Sequence, residues 1–328
     1  MGNTESHQEA YKLENEQSNL ITKKYYFDKY NWVPSLPGHE YLTIDNTFIK
    51  RKFGHSEHDF IAAAQHLSDN NIQSGYVDLR TNFPQIISMN NLPINPIISV
   101  VYMLHFQLLK NKLPIFPPSS IYIYKNIEFY KDVNSLFSFE VIFNSIKNHG
   151  FCSESELATN ELNLGVKISN SLREKACAFK FIDVYKVLQN KETIKQLLMN
   201  EMPILIGFTV YYDMITVDNY MWMPDERSDK KLGGLTGVLV GYIEERKMFI
   251  MATTFGKSFG ASGYVLIPYD YVLSPKYTSE LFTIDFKKER VEGYINQRKE
   301  MINLQNNVEL KIENKQQYSQ NSFGGLFK

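Results

Sequence analysis

Apolar side chains crowd residues 96–110, where Ile97, Ile98, Val100, Val101, Met103, Leu104, Leu108 and Leu109 cover most of a helical circumference. A helix that is apolar on nearly every side is a buried one, so this segment is predicted to sit at the centre of the fold. Asn95 is predicted as its N-cap, with Pro96 at the first helical position, where a missing N–H costs nothing. The rest of the pattern divides in two. Ser138–His149 reads as a second helix closed by Gly150. After it, Phe179–Val187 alternates like a strand, Asn190–Asn200 has helical spacing, and Met202–Tyr211 is apolar enough for a buried strand. Leu232–Tyr242 and Met251–Tyr264 then carry glycines and β-branched or aromatic residues, the grammar of strands and tight turns. The prediction is an α+β domain, helices first and strands second.

The flanks are different in character. Residues 1–29 are polar and expected to be disordered. Residues 30–76 form a lead-in arm with Trp32, followed by a predicted helix over His55–Gln73. The main domain is placed at 77–284, divided near 178 into its helical and β-rich halves. Residues 285–328 are expected to hold a charged helix over Lys287–Leu304 and a polar tail ending in Phe323–Lys328.

Four separated stretches, in order, resemble the papain-like cysteine peptidase family. Val77-Asp78-Leu79-Arg80 resembles the family's opening. Asn90-Asn91-Leu92-Pro93-Ile94-Asn95-Pro96 stands where the family has Gln-Gly-x-x-Gly-Ser-Cys. Gly233-Gly234-Leu235-Thr236-Gly237-Val238-Leu239-Val240-Gly241-Tyr242 follows its Gly-Gly-His-Ala-Val-x-x-Val-Gly-Tyr strand. Thr253-Thr254-Phe255-Gly256 follows its Asn-Ser-Trp-Gly, and Phe259-Gly260 its second Trp-Gly. Smaller echoes are Trp32 in a Trp-x-Pro-x-x-Pro lead-in, Pro118-Ser119, and Cys152 before Glu154-Ser155, where the family has a structural cysteine. The resemblance implies a two-lobed fold, a helical lobe with a long central helix and an antiparallel β-barrel lobe. It places Pro96 at the nucleophile, Leu235 at the histidine, Thr253 at the asparagine that orients it, and Asn90 at the oxyanion glutamine. None of these can perform the family's chemistry, which needs a thiolate activated by a nearby histidine. Proline also lacks the backbone N–H that the family uses as an oxyanion donor. The implied protein is an inactive member, worded like the branch found in bacteria and large DNA viruses.

Composition narrows the alternatives. Apolar residues are 43% and charged residues 22% of 328, which suits a globular core. A formal charge of −1 gives no electrostatic case for nucleic acid. Two cysteines, Cys152 and Cys177, make no disulfide framework or zinc site. All seven histidines precede residue 150, so the β-rich half contains none. His55-x-x-His58 has helical spacing for metal, but no third ligand; no metal or cofactor is expected. Gly2 and Ser6 fit the N-myristoylation pattern, and one acyl chain alone gives only marginal membrane binding. The heavy use of Asn, Ile, Lys, Tyr and Phe is that of an AT-rich genome.

Three functions stay open at this point. The first is a scaffold acting through protein partners, on the cytosolic side, membrane-linked through Gly2 and associated with a virion or capsid. The second is a peptide-binding module using the Gly233-Gly234 edge and the former cleft. The third is a hydrolase with a different nucleophile.

Overall fold

In a computed structural model, the described residues are 31–35, 41–53, 75–87, 92, 94–114, 116–127, 137–160, 163, 165–215, 219–225, 227–297 and 299–300. The expected helix over His55–Gln73, the tail, Gly2 and Asn90 lie outside them. Residues up to Asp285 form one compact unit and those from Phe286 another. In the second, residues 288–297 are helical.

The chain enters with strand β1 (Thr43–Ile44), helix α1 (Asn46–Phe53) and strand β2 (Tyr76–Asp78). Helix α2 (Asn95–Lys110) follows, then α3 (Ser120–Ile127), α4 (Phe139–His149) and α5 (Asn170–Ala176). The β-rich half consists of β3 (Ile182–Val187), α6 (Lys191–Met199), β4 (Ile204–Tyr211), β5 (Lys231–Ile243), β6 (Met248–Ala252), β7 (Tyr264–Pro268), α7 (Tyr269–Leu273) and β8 (Thr278–Phe286).

Helix α2 is buried along nearly its whole length, as its apolar circumference demands. Polar side chains on it reach the β-rich half. Gln107, fully buried, donates through Nε2 to the Ile284 carbonyl of β8 at 2.7 Å. Tyr102 Oη donates to the carbonyls of Ile87 and Thr253 at 3.0 and 3.2 Å. Caps define the shorter helices: Ser138 Oγ accepts from Val141 N, Ser169 Oγ from Leu172 N, and Asn190 Oδ1 from Thr193 N. Phe139 and Phe143 of α4 stack at 6.0 Å, and both meet Phe282 of β8 edge-on.

The strands form one eight-stranded sheet in the order β1-β3-β8-β4-β5-β6-β7, with β2 also pairing to β5. The pairs β4–β5, β4–β8, β5–β6, β6–β7 and β2–β5 are antiparallel, and β1–β3 is parallel. The parallel partner β1 belongs to the lead-in and lies outside the β-rich lobe. Lead-in strand β1 enters beside β3, and a long connection between the two permits parallel pairing. The Tyr-rich stretch after Pro118 is helix α3, with Ser119 Oγ accepting from Tyr122 N at 3.1 Å. The strand expected from Phe179 starts at Ile182, because Cys177–Phe179 complete a 3₁₀ turn.

Gly150 closes α4 at φ 70°, and a Cβ there would run into the Ala176 carbonyl oxygen. Gly150→Ala is therefore expected to destabilise the chain by roughly 2–4 kcal/mol, combining left-handed strain with a backbone clash. The check is a urea unfolding midpoint that falls with an unchanged slope.

Candidate functional site

The site begins at the first turn of α2. Ile94 occupies the N-cap position at φ −121° and ψ 26°, and no side chain caps the helix. Asn95 is the first helical residue and Pro96 the second, so the N-cap expectation for Asn95 is corrected. The Asn95 carboxamide turns outward to the β-rich half. Its Oδ1 accepts from the Thr236 backbone N–H at 3.0 Å and from Thr236 Oγ1 at 2.8 Å. Its Nδ2 donates to Thr254 Oγ1. One turn on, Ser99 Oγ lies 2.8 Å from Thr236 Oγ1. With the threonine proton directed at Asn95, Ser99 is the donor of that bond. Asn95, Ser99 and Thr254 are fully buried and Thr236 is 1% exposed. Buried polar groups must find partners, and these find each other across the junction of the two halves.

Beside this junction lies the lead-in arm. On the edge of β5 opposite β4, strand β6 joins only from Val238. Before that point the described neighbours are the Asn95 side chain at the Thr236 N–H and the arm at Gly234, with Asn31 bridging Gly234 in parallel and Trp32 N donating to the Gly234 carbonyl at 3.3 Å. The Trp32 indole lies over two α-carbons. A Cβ at Gly207 or at Gly234 would collide with it, so the slot exists only because both residues are glycine. Phe139 meets the indole at 5.8 Å. Further along, Ser35 N donates to Glu280 Oε1 at 3.0 Å, and the α4 N–H of Glu140 donates to Ser35 Oγ at 3.4 Å. Trp32 Nε1 and Glu280 Oε2 are buried and have no hydrogen-bond partner among the described residues.

This architecture is shared with xylellain, a cysteine protease from Xylella fastidiosa, at a TM-score of 0.67 and 19% identity, covering 79% of this chain and 97% of that one. The fold is papain-like. A digestive procathepsin L 3 of Tenebrio molitor larval midgut superposes with a TM-score of 0.51 at 14% identity, over 66% of this chain and 71% of that one. In sequence, an uncharacterized peptidase C1-like protein of Acanthamoeba polyphaga mimivirus is 27% identical over 184 residues. The match takes in 52% of this chain and 59% of that protein, so less than two thirds of the relative's length is spanned. No family profile matches the sequence. Sequence and fold together relate the chain to the papain-like cysteine peptidases.

Within the papain-like frame, each residue expected from the sequence sits next to the polar network rather than in it. Pro96 follows Asn95 in the helix. Leu235 belongs to the apolar core on the other face of β5, with Phe208 and Leu239. Thr253 Oγ1 donates to the Gly263 carbonyl at 2.9 Å. Strand β5 changes the parity of its core-facing positions along its length. Its pairing with β6 shifts register between Leu239 and Gly241. A bulge inserts one residue, so counting back from Val240-Gly241-Tyr242 changes faces on crossing it. Core residues show the change of parity, Leu235 and Leu239 before the bulge and Tyr242 after it. The signal that could have found Thr236 is thus the apolar alternation on its own side of the bulge.

Of the Gly233-Gly234 edge, Gly234 carries the arm, while both glycines also pair with β4. Asn90 and Gly2 are outside the described residues. Among the described residues no group of three His, Cys, Asp or Glu side chains could hold a metal ion. No described helix is long and apolar enough to cross a membrane. Burial pushes the Cys152 thiol up to about 12, which leaves it protonated and inert. His105 on α2 is held below its ordinary value by burial, and His149 by burial and by Arg173 and Lys180. Asp225 is a turn residue whose oxygens accept from Arg227 N and Ser228 Oγ.

Asn95→Ala removes the partner of the Thr236 N–H and of the Thr254 hydroxyl. At about 1–3 kcal/mol for each orphaned buried group, a loss of roughly 2–6 kcal/mol is expected in chemical denaturation.

Burial raises the Glu280 carboxyl above its ordinary value of 4.5, against the lowering contributions of Ser35 and Lys186 and alongside a further raise from Glu140. A raised folded value means that the stabilisation is complete below 4.5 and is lost as pH rises through the folded value. Unfolding midpoints of wild type should therefore fall across that window relative to Glu280→Gln, which has no such slope; parallel profiles would exclude this linkage.

Proposed function

We propose that the chain is a catalytically inactive papain-like protein that works as a structural or scaffolding component through protein–protein contacts. The observation that carries this reading is the use of Asn95. At the opening of the central helix, one residue before the Pro96 that the resemblance sets at the family's cysteine, a carboxamide is consumed in hydrogen bonds to Thr236 and Thr254. A carboxamide is neither a nucleophile nor a base at neutral pH. Pro96 beside it offers no N–H to an oxyanion. The absence of histidine after residue 149 leaves the β-rich half without the family's general base.

A hydrolase with a different nucleophile gains little from this geometry. The hydroxyls of Ser99, Thr236 and Thr254 are buried and bonded to one another or to Asn95, so no base is there to accept a proton. Peptide binding has one specific observation in its favour, the extended arm held on the Gly234 edge. The viral setting and the membrane link extend the same reading. The mimivirus relative and the AT-rich coding support a virion- or capsid-associated component, and the Gly2 pattern supports an acyl anchor on the cytosolic side.

Two measurements test the proposal. Purified chain should not hydrolyse fluorogenic peptides above the buffer rate, and turnover abolished by Thr236→Val would overturn inactivity. Material from the native source should co-purify with structural proteins and show a mass raised by one myristoyl group over the chain lacking Met1. An unmodified chain with no partner would remove the scaffold and the anchor together.

A further inference from the structure

We propose that a cavity at the far end of α2 is a binding site for a free apolar α-amino acid, a small zwitterion with an aliphatic or aromatic side chain. The cavity lies between the 3₁₀ turn at Arg80–Asn82 and the last turn of α2, and its volume is about 460 Å³. At about 1.5 Å per residue, the helix separates it from Asn95 by roughly 20 Å. It is therefore a second site, one that does not depend on whether the first is inactive.

The floor is apolar. Phe83 and Phe106 are buried with ring centroids 5.9 Å apart, and Leu79 and Leu109 line the cavity beside them. An apolar floor with a few polar groups at the rim is the usual form of a small-molecule site. The rim carries one ammonium, Lys110, and one carboxylate, Glu201, and the two side chains do not pair. Lys110 Nζ donates to the backbone carbonyls of Asn200 and Glu201 at 3.2 and 2.9 Å. Its remaining hydrogen reaches only the Met202 sulfur at 3.8 Å, a weak acceptor. The Glu201 carboxylate has no hydrogen-bond or ion-pair partner among the described residues. The turn after α6 fixes where it stands, with Glu201 in the left-handed region at φ 53°. The other charges near Lys110, those of Lys52 and Asp285, bond to each other. Thr81 and Asn82 add a hydroxyl and a carboxamide to the rim, and neither side chain is hydrogen-bonded among the described residues. An α-amino acid matches this set. Its carboxylate accepts from Lys110, its ammonium donates to Glu201, and its side chain covers the two phenyl rings. A lone anion fits less well, because the carbonyl end of α6 already faces Lys110. A lone cation leaves Lys110 unmatched.

The experiment is calorimetry on the full chain with L-leucine and L-phenylalanine as probes. At least one should bind one to one. The analogues that keep the side chain and lose one charge are isocaproate and phenylpropionate without the amine, and isoamylamine and phenethylamine without the carboxyl. Each should bind at least about tenfold more weakly than its parent. Glu201→Gln changes an exposed side chain that has no described partner, so the variant is expected to fold. It should lose at least about tenfold in affinity for the amino acid and keep its affinity for the amine-free acid. Leu109→Trp, which fills the cavity, should abolish uptake; if that variant does not fold, Glu201→Gln decides alone. Failure of both amino acids to bind would overturn the site. So would affinity that Glu201→Gln leaves untouched, equal binding of the one-charge analogues, or uptake that survives in a folded Leu109→Trp.

Discussion

A buried amide with no water in reach must be given partners by the fold, and the two halves of this domain meet where Asn95 finds them. The side chain leaves its own helix and satisfies a backbone N–H on β5 and a hydroxyl in the β6–β7 turn. Ser99 repeats the contact one turn later, and Gln107 completes the line by reaching β8. These residues lie along one side of a helix that is otherwise sealed by apolar packing. Hydrophobic burial holds the halves together but is indifferent to sliding; directional bonds at both ends of α2 fix the register.

That junction also explains how far the sequence could be read. Elements with dense local signals were legible: the apolar α2, the helices expected from Ser138 and from Asn190, and the glycine after α4. Motif spacing was enough to reach the papain-like fold. What the letters could not carry was orientation. A strand presents alternate faces, and one bulge between Leu239 and Gly241 exchanges them, so Leu235 reads as a cleft residue while Thr236 faces the helix. Asn95 was misread for a related reason. Its residue type suits a cap, but a tertiary demand on its carboxamide outweighed the local one.

The lead-in arm was legible as a feature and not as a contact. Trp32 stood out as a lone indole in a proline-flanked stretch. Its slot, however, is made by Gly207 and Gly234, residues whose meaning lies in side chains they lack. Glycine on adjacent strands is ordinarily a weakness for packing. Here the two form one flat surface, a property that no single position displays.

The arm has a consequence for the chain's behaviour in crowded solution. Stretch 231–237 of β5 is antiparallel to β4 on one side, and on the other, among the described residues, it has the Asn95 side chain at the Thr236 N–H and the arm at Gly234. Without that cover it would present backbone donors and acceptors beside an apolar slot, the kind of surface on which like chains stack. The arm is thus an edge guard for β5 at Gly234. Proteolytic trimming before Tyr41 would leave most of the core intact, and the loss would be felt as poor solubility.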